Sequence, residues 1–228
     1  MNNRARGGVQ PAMLRLDVLG LSVLLILLAA SSPAWARPAL TADELKRLQR
    51  WDVLEYSQKL PGSDVMTGKA VGIIPDIPEA VVYVIEDVGR YKYFLPRIKE
   101  SRVVKRRSTK VWAVLETKLP WPVKDAWAYV LFSRQKLKGR RYVVRFSMRN
   151  GTLKSFSGTA LVEAYRRKDG AVHSFITYKL LTEPHTSAPD SRISHGVKRV
   201  TTQFVHRVRM RLTALRKFKK LPAVLKKE

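Results

Sequence analysis

Few residues in this sequence have the types and spacing that chemistry needs. The four histidines are His173, His185, His195 and His206. None stands in a metal-ligand spacing such as His-x-x-x-His, and there is no cysteine to complete a zinc or thiol site. His185 and His195 flank a polar segment and read as solvent-exposed. His206 lies two positions from both Phe204 and Val208, so it should point off the apolar stripe those two define. His173 reads as a satisfied or exposed strand histidine, with a cavity-facing position as the alternative. Asp87, Glu116 and Asp125 have no spacing that suggests paired acid–base work, and no glycine-rich phosphate loop occurs. Nothing here argues for a catalytic residue, a metal site or a cofactor, and none is expected.

Charge is the plainer signal. The chain carries 44 Lys and Arg against 18 Asp and Glu, a formal net charge of +26. Seven cations fall between Arg97 and Lys110, six between Arg134 and Arg145, and twelve between Arg192 and Glu228. A solvated face explains any one cluster, but three in a small domain exceed what solubility requires. The candidate anion-binding surface is Lys105, Arg106, Arg107, Lys136, Lys138, Arg140 and Arg141. Aromatics do not interleave with these charges as base-stacking platforms do, which disfavours nucleic acid as a partner. An anionic membrane surface fits better, where each Lys or Arg is worth about 1 kcal/mol.

The N-terminus supplies the compartment. Arg4, Arg6 and Arg15 lead an apolar run from Val18 to Ala30, and Ala34-Trp35-Ala36 offers a small-x-small cleavage pattern before Arg37. The run is shorter than the roughly 20 apolar residues of a spanning helix. The expected reading is a cleaved signal peptide over 1–36, with no cysteine for a lipoprotein anchor, and hence a periplasmic or secreted protein.

The remaining sequence punctuates itself. Thr41-Ala42-Asp43-Glu44 is a capping box opening a helix to about Arg50. Trp51 to Gln58 and Val65 to Ile74 read as strands joined across Pro61-Gly62-Ser63-Asp64. Pro78 opens a second helix ending at Gly89. From Arg97 to Leu181 apolar and polar residues alternate in an antiparallel meander of about five strands, with two-residue reversals expected at Asn150-Gly151 and Asp169-Gly170. Ile193, Val197, Val200, Phe204, Val208, Leu212 and Leu215 then recur at helical spacing over about seven turns, with Asp190 or Ser191 as the expected cap. A long amphipathic helix after a meander must bury its stripe on the sheet, which gives an α+β fold.

Specific strings in this order resemble the START-like, helix-grip (SRPBCC) superfamily of polyketide cyclases, coenzyme-Q-binding proteins and lipid-transfer domains. They are Ile77-Pro78-Glu79-Ala80-Val81, then Asp87-Val88-Gly89-Arg90-Tyr91, then Phe94-Leu95-Pro96-Arg97-Ile98-Lys99-Glu100-Ser101, and last Leu119-Pro120-Trp121-Pro122-Val123-Lys124-Asp125. The Arg that often follows this last string is replaced by Ala126 and Trp127. The resemblance implies a curved antiparallel sheet wrapped around the long C-terminal helix, with a hydrophobic cavity between them. Its expected lining is Phe94, Trp112, Leu115, Tyr129, Phe146, Phe175, Phe204 and Val208. The expected layout is a signal peptide over 1–36, an N-terminal helix and first strand over 37–64, the helix-grip domain over 65–219 and a basic tail over 220–228. The helix-grip shell hosts carriers and enzymes alike; with no catalytic set and with the basic clusters, the expected function is non-enzymatic carriage of a hydrophobic or lipid-like molecule, docked electrostatically on anionic membranes. The alternative is a cyclase/aromatase-type enzyme, which would need Glu116 and His173 to converge inside the cavity.

Overall fold

The computed structural model describes residues 39–119, 125–167, 170–183 and 189–225. The leader over 1–36 and the whole of Pro120–Lys124 lie outside them. Helix α1 (Ala42–Gln49) begins at the expected capping box: Glu44 N donates to Thr41 Oγ1 at 3.2 Å, and Thr41 N donates to Glu44 Oε2 at 2.9 Å. Strands β1 (Val53–Lys59) and β2 (Met66–Ile74) follow, then α2 (Pro78–Glu86) with proline in its first turn. The chain then tightens into a 3-10 turn over Val88–Tyr93, so the helix stops before the expected Gly89.

Six strands complete the meander: β3 (Ile98–Arg107), β4 (Lys110–Thr117), β5 (Ala126–Leu137), β6 (Arg141–Gly151), β7 (Ser155–Arg166) and β8 (Val172–Glu183). The reversal expected at Asn150-Gly151 falls instead at 152–154, with both residues inside β6. Gly151 serves close approach rather than turning: a Cβ there would lie 2.5 Å from the Trp127 carbonyl oxygen. Beside it, β5 shifts register between Tyr129 and Val130. Gly170 takes φ +81° between β7 and β8, as a hairpin residue should; Asp169 lies outside the described residues.

All eight strands form one antiparallel sheet in the order β1-β2-β8-β7-β6-β5-β4-β3. Helix α3 (Asp190–Lys217, 28 residues) lies on its inner face and buries Val197, Thr201, Phe204, Val205, Val208, Leu212 and Leu215. Val200, expected in the stripe, is 37% exposed, because the buried row runs through Thr201 and Val205 instead. Neither Asp190 nor Ser191 caps the helix; Pro189 holds the cap position and Asp190 accepts Lys59 Nζ at 2.9 Å. Two glycines let α3 cross β2 closely. A Cβ on Gly68 would lie 2.7 Å from Val197 Cγ1, and one on Gly72 would lie 2.8 Å from Val205 Cγ1.

The main core fills the space between the inner face, α2 and α3. A separate cluster on the outer face packs Leu48 of α1 against Leu54, Val71, Ile73 and Phe175. Arg209 ties the layers together, donating through Nη1 to Trp51 O at 2.9 Å and through Nη2 to Ile73 O at 2.8 Å. Among the described residues no helix is long and apolar enough to cross a membrane.

Candidate functional site

Strand parity decides what faces the cavity, because successive side chains point to opposite sides of a sheet. Leu115 and Thr117 of β4, Phe132 of β5, Phe146 of β6, and Tyr178 and Leu180 of β8 all point inward, toward Phe204 of α3. Together with Tyr91 they build a closed circuit of five aromatic rings. Centroid separations around it are 6.2 Å for Tyr91–Phe132, 5.7 Å for Phe132–Phe146, 5.8 Å for Phe146–Tyr178, 4.1 Å for Tyr178–Phe204 and 6.3 Å for Phe204–Tyr91.

The circuit walls the inner end of a cavity of about 140 Å³. Ile85 of α2 closes that end, while the opposite rim is formed by Leu95, Arg97, Trp127, Leu153, Val200 and Gln203. Exposure rises from one end to the other: Ile85 is 2% exposed and Tyr178 7%, whereas Trp127 is 42% exposed. The mouth therefore lies where β3 and β5 begin and β4 ends. Burial raises the phenol pKa of both Tyr91 and Tyr178, so both stay protonated at neutral pH. Tyr91 Oη donates to Ile85 O at 2.6 Å. Tyr178 Oη meets no hydrogen-bond partner among the described residues.

Of the eight expected lining residues, Leu115, Phe146 and Phe204 lie on the cavity wall. Trp112 and Tyr129 do not; they stand on the outer face, and Lys105 Nζ lies 5.7 Å from the Trp112 ring centroid. Trp112 and Leu115 are an odd number of residues apart in one strand, so they cannot share a face. Phe175 belongs to the outer cluster under α1. Phe94 and Val208 pack in or against the main core without reaching the cavity wall. Phe132 and Tyr178 were missed; parity with Phe146, carried across the strand register, would have found both.

The candidate cations gather at the other end of the sheet. The β3–β4 hairpin presents Lys105, Arg106 and Arg107, and the β5–β6 hairpin presents Lys136, Lys138, Arg140 and Arg141. Some are already engaged. Arg140 donates to both oxygens of Glu79, at 3.1 and 2.6 Å, and Arg141 Nε lies 2.8 Å from Glu163 Oε1. Arg106 Nη2 donates to Glu86 O at 3.0 Å. For Arg107, Lys136 and Lys138 no carboxylate partner is found among the described residues.

Glu116 and His173 do not converge. Glu116 accepts Lys99 Nζ at 2.8 Å, and His173 packs edge-on against Trp51 at 5.5 Å on the outer side. Four strand spacings, about 19 Å, separate β4 from β8. Among the described residues no group of three His, Cys, Asp or Glu is placed to hold a metal ion. His195 and His206 are exposed on α3, and His185 lies outside the described residues.

No protein-family model matches the chain, and no curated protein does. Solved structures match it well. A fragment of the STAR-related lipid transfer protein from Xanthomonas axonopodis aligns with a TM-score of 0.62 at 17% identity, covering 78% of this chain and 97% of that one. The chain has the START-like helix-grip fold. Two human structures share the helix grip: STARD10 at TM-score 0.60 and 13% identity, covering 82% of this chain and 86% of its own, and StAR-related lipid transfer protein 5 at 0.59 and 9%, covering 87% and 95%.

Proposed function

We propose that this is an exported, non-enzymatic binding or carrier protein for a hydrophobic or lipid-like molecule, held on anionic membrane surfaces by its basic hairpins. The observation that carries the reading is the five-ring aromatic circuit behind an open, partly exposed apolar mouth. A core that only packs would close there. Two of the neighbours, from Xanthomonas axonopodis and human, carry lipid transfer in their names and support the same ligand class. At about 140 Å³ the cavity matches the scale of a roughly 150 Å³ apolar cavity that takes benzene. It receives a ring or a short alkyl segment, and a longer ligand must part the side chains at the mouth. The N-terminal leader supports export, and the net charge of +26 supports an anionic partner.

The test is to purify the protein from the compartment it is exported to, sequence its N-terminus and extract it with organic solvent. An N-terminus at Arg37 and a co-purified hydrophobic molecule near one per chain are expected. A chain still beginning at Met1 would overturn export. A preparation with no extracted molecule, and no uptake of added apolar compounds, would overturn the carrier reading.

A further inference from the structure

The inner end of the cavity holds one polar atom with no assigned task. Tyr178 is 7% exposed, stacked on Phe204 and Phe146, and its hydroxyl opens into the cavity without a hydrogen-bond partner among the described residues. The residue is buried but its hydroxyl stays accessible from the cavity, and a polar group in such an apolar space is nearly always given a partner. Its neighbour Tyr91 donates to Ile85 O, and no hydrogen bond joins the two phenols in either direction. Water can reach it through the mouth, but the walls around it are almost wholly apolar and offer such a water few further partners. The missing partner is best supplied by an oxygen fixed to an apolar body.

The charge of that partner also follows from the lining. Arg97 is the only charged residue among the described lining residues, and it sits at the mouth. A carboxylate or phosphate at the inner end would be buried against a single phenol with no cation, at a large desolvation penalty. We infer that the ligand carries a neutral oxygen function, such as a ketone, ester carbonyl or hydroxyl, and enters with that oxygen leading so that it hydrogen-bonds the Tyr178 hydroxyl. Tyr178 is thus the polarity-reading residue of the site, and the aromatic circuit holds the apolar body. This assignment rests on the binding reading above and adds the class and orientation of the ligand.

The experiment uses two small compounds of one shape. Acetophenone carries a carbonyl oxygen; α-methylstyrene has a methylene in its place. Dissociation constants for both are measured by NMR titration against the wild-type protein and Tyr178→Phe. Acetophenone should bind the variant about fivefold more weakly, the scale of one net hydrogen bond. α-Methylstyrene should bind both proteins alike, which also reports that the variant's cavity is intact. In the wild type, intermolecular NOEs should place the acetophenone methyl beside the Tyr178 ring. Equal weakening of both compounds, unchanged acetophenone affinity, or NOEs only to mouth residues such as Trp127 and Val200 would each overturn the assignment while leaving hydrophobic binding intact. Binding of neither compound to the wild type would overturn both readings.

Discussion

Arg216, in the last turns of α3, forms a two-pronged ion pair with Asp76, just past the end of β2. Its Nε donates to Asp76 Oδ2 at 2.8 Å, and its Nη2 donates to Oδ1. The Asp76 side chain is 4% exposed, and its Oδ1 also accepts Ile77 N at 2.8 Å. This pair pins the C-terminal part of the gripping helix to the sheet, at the end away from the cavity mouth. Arg216→Leu leaves the carboxylate buried with only a backbone donor. It should cost about 3 kcal/mol, the lower part of the range for breaking a buried pair, because Arg216 is itself partly exposed. Urea denaturation measures it, and a loss below about 1 kcal/mol would show that the pair is no anchor.

Phe146 and Phe175 are both buried, on opposite faces of the sheet. Truncating either to Ala should cost about 3–5 kcal/mol. Only Phe146→Ala should alter the uptake of a compound such as α-methylstyrene, because only Phe146 walls the cavity. Matched denaturation and NMR titration separate the two effects, and a change of uptake in Phe175→Ala would mean the faces have been misassigned.

Glu79 gives a pH dependence with a definite sign. Burial pushes its carboxyl pKa up, but Arg140 and the Tyr142 hydroxyl, at 2.9 Å, outweigh that and hold it below the ordinary 4.5. A depressed carboxyl pKa stabilises the fold above the unfolded value, and the gain is lost as pH falls through the folded one. Wild type should therefore melt higher than Glu79→Gln at pH 7, and the gap should close as pH drops well below 4.5. Thermal melts of both proteins at pH 7 and pH 3 test this; a gap that stays constant would exclude the carboxylate as its source.

Vesicle binding should depend on which cations are unengaged. Arg107, Lys136 and Lys138 replaced together by Gln should weaken binding to anionic vesicles by up to about 3 kcal/mol, at roughly 1 per charge. Replacing Arg140 and Arg141 should weaken binding less per charge and cost stability, since both are paired with carboxylates. Binding should fall steeply as the Debye length shrinks from about 10 Å at 0.1 M salt to about 3 Å at 1 M. Co-sedimentation measures it, and equal binding to neutral vesicles would remove the electrostatic tether.

Local signals carried much of this fold in the sequence. The Thr41–Glu44 capping box, Pro78 in the first turn of α2 and the helical recurrence from Val197 to Leu215 each produce the element they predict. What failed was long-range. Asn150-Gly151 has the composition of a tight turn, but β6 runs on through both residues with Arg149 as an extra residue opposite β5, and no local pattern records that bulge. The expected lining put Trp112, Tyr129 and Phe175 into the cavity, whereas alternation along each strand puts them outside it. Tyr178 becomes visible only when the β7–β8 register aligns it with Ala160, on the same face as Phe146.

The antiparallel sheet places its basic hairpins and its open mouth at opposite ends of the same strands. β5 runs 12 residues from Ala126 at the mouth to Leu137 at the hairpin, about 40 Å at 3.3 Å per residue. A molecule resting on a bilayer by those hairpins therefore holds its opening some 40 Å above the headgroups, several Debye lengths into solution. It cannot draw cargo from the surface that holds it without turning over. On the proposed reading, tethering and loading would be alternating states of one particle, and their rates would answer to salt in opposite directions: stronger tethering would slow the turn that loading from that same bilayer requires.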